Sequence, residues 1–249
     1  MNQKLLIALA MLFAIHVPVF AQRPADIVGV TIGMTADQAR EALKKSGTPF
    51  KLLEGRYEAQ PGIPESLAYI NACVANAPPY MTGCGGMSDK SAKDQVLVAF
   101  GQMSGKVFFV ERTWQPTKDA QPLANSVEKA VLEKYTGLKK SGESSTNRMP
   151  TGRSYSDTNG LNGRPEAQCG FGSGMTIPNS ARSNCGFAAH AGVEFEGELQ
   201  KLTKLRIGIF DHRVLLSDIN QSNEILSGAA KKQRANEENA ARKVGAPKL

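Results

Sequence analysis

The stretch FAAHAGVEFEGELQKLTKLRIGI, residues 187–209, decides the fold because its apolar residues alternate almost without interruption. One strand face carries Phe187, Ala189, Ala191, Val193 and Phe195, and after a turn near Gly197 the matching face carries Leu205, Ile207 and Ile209. Such alternation is typical of half-buried strands. Aligning the two faces also places Glu194 opposite Lys204, an opposite-charge pair that stabilises the same register. The sequence therefore predicts an antiparallel hairpin with the pairs Val193–Leu205 and Ala191–Ile207.

A helix is predicted over residues 36–46. Thr35 and Gln38 have the spacing of a capping box, in which each side chain bonds the backbone amide of the other residue. Gly47 follows as a stop signal. Residues 27–32 are a short strand-like run that leads into this helix.

The remaining elements follow from local composition. Strands are predicted over residues 50–59, 96–100 and 107–110, and residues 66–74 fit either a strand or a helix. Both faces of the 96–110 hairpin are apolar, so we expect it at the centre of the sheet or under a helix. A second helix is predicted over residues 126–136, with Asn125 and Glu128 at capping-box spacing. Residues 138–183 are rich in Gly, Ser, Asn and Pro and are predicted to be irregular loops around one short strand near residues 153–156.

The order of these elements predicts an α+β fold with an antiparallel sheet and helices packed on one face. Two tandem helix-plus-hairpin units are one interpretation of that order. Four segments are expected: a signal peptide over 1–21, an N-terminal α+β unit over 22–137, a loop-rich C-terminal α+β unit over 138–228, and a basic, polar helical tail over 229–249.

The N-terminus has the features of a secretory signal peptide. Lys4 precedes an apolar run over residues 5–15, and the small residue Ala21 comes before Gln22, so cleavage is expected between Ala21 and Gln22. The apolar run is too short for a membrane span of roughly 20 residues. The mature chain is therefore expected to be soluble, without a transmembrane segment, and periplasmic or secreted.

The four cysteines favour disulfides, because their number is even and an oxidising compartment is expected. Nearest-neighbour pairing joins Cys73 to Cys84 and Cys169 to Cys185, although four cysteines allow three connectivities. Neither pair has the C-x-x-C spacing of a zinc site, and no metal site is predicted.

The formal net charge of +7 is a modest basic excess. Much of it lies in the tail, at Lys231, Lys232, Arg234, Arg242 and Lys243. An exported protein meets anionic envelope surfaces rather than nucleic acid, so an anionic envelope surface is a candidate partner and nucleic acid is not.

A short motif carries a resemblance to known proteins. Ile32-Gly33-Met34-Thr35, followed by the helix and then Gly47-Thr48-Pro49, resembles the G-M-T…G-x-P signature of the SmpA/OmlA outer-membrane-assembly lipoproteins and of their fold relatives, the β-lactamase inhibitory proteins. The whole pattern also resembles a group of proteobacterial exported proteins without assigned function. The signature covers residues 27–49. It implies an antiparallel sheet with helices on one face and the other face presented to a protein partner.

Motifs for catalysis are missing from the sequence. There is no G-x-S-x-G elbow, and the glycine-rich residues 170–174 follow a cysteine rather than a strand. His190 and His212 face away from the apolar stripe and lie roughly 13 Å apart in the predicted register, too far to share a metal. Both are interpreted as surface or strand-end histidines. No catalytic residue and no cofactor are predicted.

We therefore expect a non-enzymatic protein-binding module of the cell envelope. Its candidate partner-binding residues are Arg112 and Trp114, because Trp and Arg are over-represented in interface hot spots; Trp114 could equally cap the edge of the core. The first alternative is an envelope hydrolase with an unrecognised carboxylate site, drawn from Asp157, Glu194 and Asp211. The second is a binder of anionic envelope polymers that uses the basic tail. Converging carboxylates in a cleft would favour the hydrolase, and an exposed apolar sheet face or hairpin rim would favour the protein binder.

Overall fold

The computed structural model describes residues 25–74, 93–146, 149–160, 169–170 and 176–243. The predicted signal peptide, its cleavage site at Ala21 and Gln22, and Cys84 lie outside these residues. Three α-helices occur in the described part: α1 (Ala36–Lys45), α2 (Ala124–Lys134) and α3 (His212–Lys243). The strands are β1 (Asp26–Ile27), β2 (Val30–Thr31), β3 (Lys51–Tyr57), β4 (Ser66–Val74), β5 (Asp94–Phe100), β6 (Val107–Trp114), β7 (Lys139–Thr146), β8 (Met149–Gly160), β9 (Cys185–Glu196) and β10 (Lys201–Asp211).

Strands β3 to β10 form one antiparallel sheet in the order β3-β4-β5-β6-β10-β9-β8-β7. The predicted register of the β9–β10 hairpin is confirmed, because Val193 pairs with Leu205 and Glu194 with Lys204. The β5–β6 hairpin lies in the interior of the sheet, as its apolar faces predict, and every residue of β5 is buried. Strand β6 pairs with β10, so that β3 to β6, within residues 22–137, and β7 to β10, within 138–228, share one sheet. Strands β1 and β2 pair separately.

The two faces of the sheet have separate cores. On the first face, β-strand residues such as Val96 and Val98 pack with Leu43 of α1 and Val131 of α2. On the second face, Leu97, Phe109 and Phe210 pack with Leu215 of α3. The α+β class and the antiparallel sheet are therefore confirmed. Helices α1 and α2 lie on the first face, and the beginning of α3 adds a layer on the second.

The prediction of irregular loops over residues 138–183 is corrected. Both β7 and β8 lie within this segment, and they form a long hairpin at one edge of the sheet. The short strand predicted near residues 153–156 is part of β8 and is confirmed. Strand β7 is almost entirely exposed, so its side chains need no apolar alternation. Backbone pairing with β8 stabilises an edge strand whose Ser- and Gly-rich sequence resembles a loop.

Of the two capping boxes predicted at helix N-termini, one is present in the structure and one is not. The capping box of α1 is confirmed, since the Thr35 amide donates to Gln38 Oε1 at 2.9 Å and the Gln38 amide donates to Thr35 Oγ1 at 3.4 Å. The capping box predicted for α2 is wrong, because the N-cap residue is Leu123. Asn125 and Glu128 instead accept hydrogen bonds from Arg153 of β8, at 2.9 and 2.7 Å.

Two further predictions about the strands are corrected. The run at residues 27–32 is interrupted by a turn at Val28 and Gly29, which have positive φ angles of 48° and 80° and separate β1 from β2. In β6 a bulge opposite Ala99 and Phe100 moves Phe108 to the second face, away from Val110, with which strict alternation had grouped it. The ambiguous residues 66–74 form strand β4.

Candidate functional site

A row of polar side chains crosses the second face of the sheet. Its members are Asn71, Gln95, Glu111, Thr113, His190 and Arg206, of which the first four are buried. The register makes them neighbours, because Thr113 lies between Gln95 and Arg206, and Gly208 lies between Glu111 and His190. Burying a row of polar side chains is costly unless the groups are paired, so this row is a candidate functional site.

Glu111 is the centre of this row and is fully buried. Its Oε1 atom lies 3.5 Å from Arg206 Nε and 3.7 Å from His190 Nε2. Gly208 stands between Glu111 and His190 on the intervening strand, and its missing side chain leaves room for both to approach each other. The positive charge of Arg206 offsets part of the cost of burying the carboxylate.

His190 is not the surface histidine that the sequence predicted, because only 14% of its side chain is exposed. The pKa of His190 is lowered from 6.5 to about 4. Burial is the larger cause, and the positive charge of Arg206 is the smaller one. The carboxylate of Glu111 does not reverse the direction. At neutral pH the imidazole is therefore uncharged and can donate one hydrogen bond and accept another.

An open groove of about 500 Å³ adjoins this cluster, over strands β7 to β9. We call it the polar groove. The residues that line it on the second face are small or polar: Gly142, Ser144, Gly152, Ser154, Ser156, His190, Gly192, Glu194 and Arg206. Glu194 forms an ion pair with Lys204 at 3.8 Å. This lining offers hydrogen-bond donors and acceptors rather than an apolar surface.

Arg112, one of the two predicted partner-binding residues, lies on the first face in a cleft of about 370 Å³ beside α2. Its guanidinium donates to both carboxylate oxygens of Asp94, at 2.8 and 2.6 Å. Nearby, the Tyr135 hydroxyl donates to the Asp26 carbonyl at 2.6 Å, and burial raises the pKa of Tyr135. Asp94 fixes the Arg112 side chain in the wall of the cleft, and a partner-binding role for Arg112 stays a prediction.

Trp114, the other predicted residue, is half-buried at the end of β6 and packs against the first-face core. It pairs with Leu205 of β10. This position fits both interpretations of the sequence, because the ring contacts the core and part of it reaches solvent.

Two exposed leucines lie beyond the same end of the sheet. Leu199 is 70% exposed in the β9–β10 turn, and Leu123 is 51% exposed just before α2. The Ala124 amide donates to the Gln200 carbonyl at 2.9 Å, and Leu123 forms a bridge with Lys201, so the backbone segments that carry the two leucines lie side by side. Trp114 pairs with Leu205, which lies four strand residues, or roughly 13 Å, from Lys201 beside Leu123. We call Trp114, Leu123 and Leu199 the hairpin rim.

The carboxylates of the hydrolase alternative are dispersed. Asp157 and Glu194 lie opposite Ala189 and Gly152, at separate positions on the ladder and on different faces of the sheet. Asp211 accepts two hydrogen bonds from the Arg213 side chain, at 2.6 and 3.0 Å. Burial by itself raises the pKa of Asp211, but the hydrogen bonds and charge of Arg213 outweigh it and the pKa falls. The three acids therefore do not share a cleft.

His212 and the cysteines have structural surroundings. The Arg182 amide donates to His212 Nδ1 at 3.3 Å, which leaves Nε2 to donate to the Cys169 carbonyl at 2.9 Å. The predicted Cys169–Cys185 disulfide is confirmed, with a Cα–Cα distance of 5.4 Å. Cys73 is also disulfide-bonded. Its predicted partner, Cys84, lies outside the described residues.

Among the described residues, no three or more His, Cys, Asp or Glu side chains are grouped so as to hold a metal ion. No described helix combines the length and the apolar character needed to cross a membrane.

Comparison with protein-family models, with curated proteins and with solved structures finds no significant match to this chain.

Proposed function

We propose that this protein is exported to the cell envelope and acts there by binding another protein through the hairpin rim. The observation that carries the proposal is the pair Leu123 and Leu199, two exposed large apolar side chains on backbone segments that are bonded to each other. Exposed apolar groups that form a patch mark interaction sites more often than single ones do. Trp114 at the same end of the sheet adds an aromatic side chain of the type common in hot spots.

The surroundings of the rim define the partner. Polar groups border the leucines, including Lys201 and the Gln121–Glu196 hydrogen bond at 3.4 Å. Stable interfaces commonly have an apolar centre within a polar border. The partner is therefore a protein that presents a small apolar cluster with hydrogen-bonding groups around it.

The compartment follows from the leader and the cysteines. The Cys169–Cys185 disulfide fits an oxidising environment, where such bonds persist. Together with the signal-peptide features of residues 1–21, it supports a periplasmic or secreted protein.

Affinity capture from a native envelope extract tests this function. The bait is the oxidised chain without residues 1–21, and the test variant is Leu123→Asp/Leu199→Asp. The matched control is Leu52→Asp/Leu53→Asp, because these leucines are also exposed, at 38% and 42%, but lie in the edge strand β3. The expected result is a stoichiometric partner that the rim variant loses and the control retains. Equal capture by both variants would refute the rim as the binding surface.

A second candidate function has an observation of its own in α3. This helix has 32 residues, about 48 Å, and its residues 230–240 are all exposed. Lys231, Lys232 and Arg234 lie in this exposed part, with Arg242 close behind. A projecting basic helix favours weak attraction to an anionic envelope surface, which would add to protein binding.

A further inference from the structure

We propose that the polar groove binds a small sugar acid, a ligand with one carboxylate and several hydroxyl groups, and that Arg206 receives the carboxylate. The groove is separate from the hairpin rim, and the inference does not depend on protein binding. It rests on how Arg206 is held, on what surrounds it, and on the charge of the groove.

Arg206 is positioned but not saturated. Its Nε atom lies 3.5 Å from the buried carboxylate of Glu111, which holds the guanidinium at the wall of the groove. Among the described residues Arg206 makes no hydrogen bond, and its Nε is one of the buried atoms without a hydrogen-bond partner there. Its two terminal nitrogens form the planar fork that binds a carboxylate through two parallel hydrogen bonds.

The space beside Arg206 is open because of a glycine. Gly192 lies directly opposite Arg206 in the β9–β10 ladder. A Cβ atom added at Gly192 would lie 3.9 Å from Arg206 Cβ, an ordinary contact, so packing does not demand glycine at this position. Its missing side chain leaves the groove open next to the guanidinium.

The rest of the lining suits hydroxyl groups. Ser154 lies beyond Gly192 on β8, and Ser144 lies beyond Gly152 on β7. The exposed hydroxyls of Ser144 and Ser154 can each donate and accept hydrogen bonds. A volume of about 500 Å³ is within the range of small-molecule sites and exceeds what a single carboxylate group needs.

Charge favours a single negative charge on the ligand. Besides Glu111, the carboxylate of Glu194 borders the groove on the second face, next to Lys204 Nζ at 3.8 Å. Glu143 lies opposite Arg153 on the first face, so its carboxylate points away from Arg206. One unit of negative charge beside Arg206 is tolerated in this environment. A phosphate dianion would meet repulsion from Glu111 and Glu194, so a carboxylate fits better than a phosphate.

NMR titration of the ¹⁵N-labelled chain without residues 1–21 tests the proposal, with the backbone amides of Gly142, Gly152 and Gly192 as reporters. The probes are D-glucuronate, D-glucose and inorganic phosphate. We expect saturable shifts of these amides with glucuronate, at an affinity at least tenfold higher than with glucose or phosphate. Equal affinity for glucose would refute the role of the carboxylate, and equal affinity for phosphate would refute the sugar-acid class.

Variants locate the site. Arg206→Gln should weaken glucuronate binding at least tenfold, and Arg213→Gln, which changes an exposed arginine bonded to Asp211, should leave it unchanged. Because Arg206→Gln removes a positive charge beside the buried Glu111, Gly192→Val is the second test. It fills the groove, keeps every charge and suits a strand. Glucuronate binding that persists in folded Gly192→Val would overturn the proposal.

Discussion

Protonation of His190 should destabilise the folded protein at mildly acidic pH. The ordinary pKa of a histidine, 6.5, applies to His190 in the unfolded chain, and in the folded protein the pKa falls to about 4, mainly because the side chain is buried. Because the folded pKa is the lower one, the unfolded chain binds more protons between these values. The contribution of a neutral His190 to stability is therefore complete above pH 6.5 and is lost as the pH falls toward 4.

The magnitude follows from the two pKa values. At pH 5 the folded state loses about 2 kcal/mol relative to pH 8, and at pH 4 about 3 kcal/mol. The groups that face His190 are Glu111, at 3.7 Å, and Arg206, whose positive charge acts in the same direction as burial. Other carboxylates also titrate below pH 5, so the effect must be isolated by a variant.

Urea unfolding of the wild type and of His190→Gln, between pH 8 and pH 5, isolates the effect. Glutamine keeps a polar side chain of similar length but does not titrate. The free energy of unfolding of the wild type should fall by about 2 kcal/mol more than that of the variant across this range. Parallel pH curves for the two proteins would refute the assignment of His190 as a buried, neutral imidazole. NMR of the ring protons provides an independent check, because the imidazole should not titrate above pH 5.

Three further predictions concern stability and the tail. Asp218→Ala should lower the free energy of unfolding by about 2 to 4 kcal/mol, because the carboxylate accepts two backbone amides of the β5–β6 turn at 2.6 and 3.1 Å; a urea-unfolding loss below 1 kcal/mol would contradict this. Cys169→Ala/Cys185→Ala should cost about 3 kcal/mol by the loop-entropy relation, measured the same way, and an unchanged midpoint would show that the loop is not constrained by the bond. Truncation after Gly228 should leave the melting temperature within about 2 °C and abolish salt-sensitive binding to anionic vesicles. Unchanged vesicle binding would exclude the tail.

Strand pairing was the part of the fold most accessible to sequence reasoning. The β9–β10 register followed from apolar alternation and from the Glu194–Lys204 pair, two independent constraints that agree. The capping box at Thr35 was equally local. Where side-chain pattern and backbone chemistry lie within a few residues of each other, the sequence contains the information directly.

The edge hairpin could not be predicted in the same way. Strand β7 buries almost nothing, so its pairing with β8 leaves no hydrophobic pattern. Asn125 and Glu128 have correct capping-box spacing, yet Arg153, 25 or more residues away, binds both side chains. The charged guanidinium of Arg153 binds these side chains in place of the nearby backbone amides. A motif of a few residues does not contain information about such a distant partner.

The candidate site residues also differ in how far they could be predicted from local sequence. Arg112 and Trp114 were identified from residue type alone, and the Asp94 contact that fixes Arg112 depends on strand pairing. The Glu111–His190–Arg206 cluster was missed because its three members come from three strands. The available signal was a pair of glycines, Gly192 and Gly208, within an otherwise regular alternation. Glycine in a strand interior often marks a close approach or an open site.

Site-specific photocrosslinking shows directly whether the hairpin rim contacts another protein. A photoreactive amino acid replaces Leu199 in the full-length chain, with the same replacement at Leu53 of the edge strand as the matched control. Irradiation of intact cells should yield one discrete protein adduct from position 199, and Leu123→Asp should abolish it. The absence of any adduct at position 199 beyond that at position 53 would contradict binding through the rim.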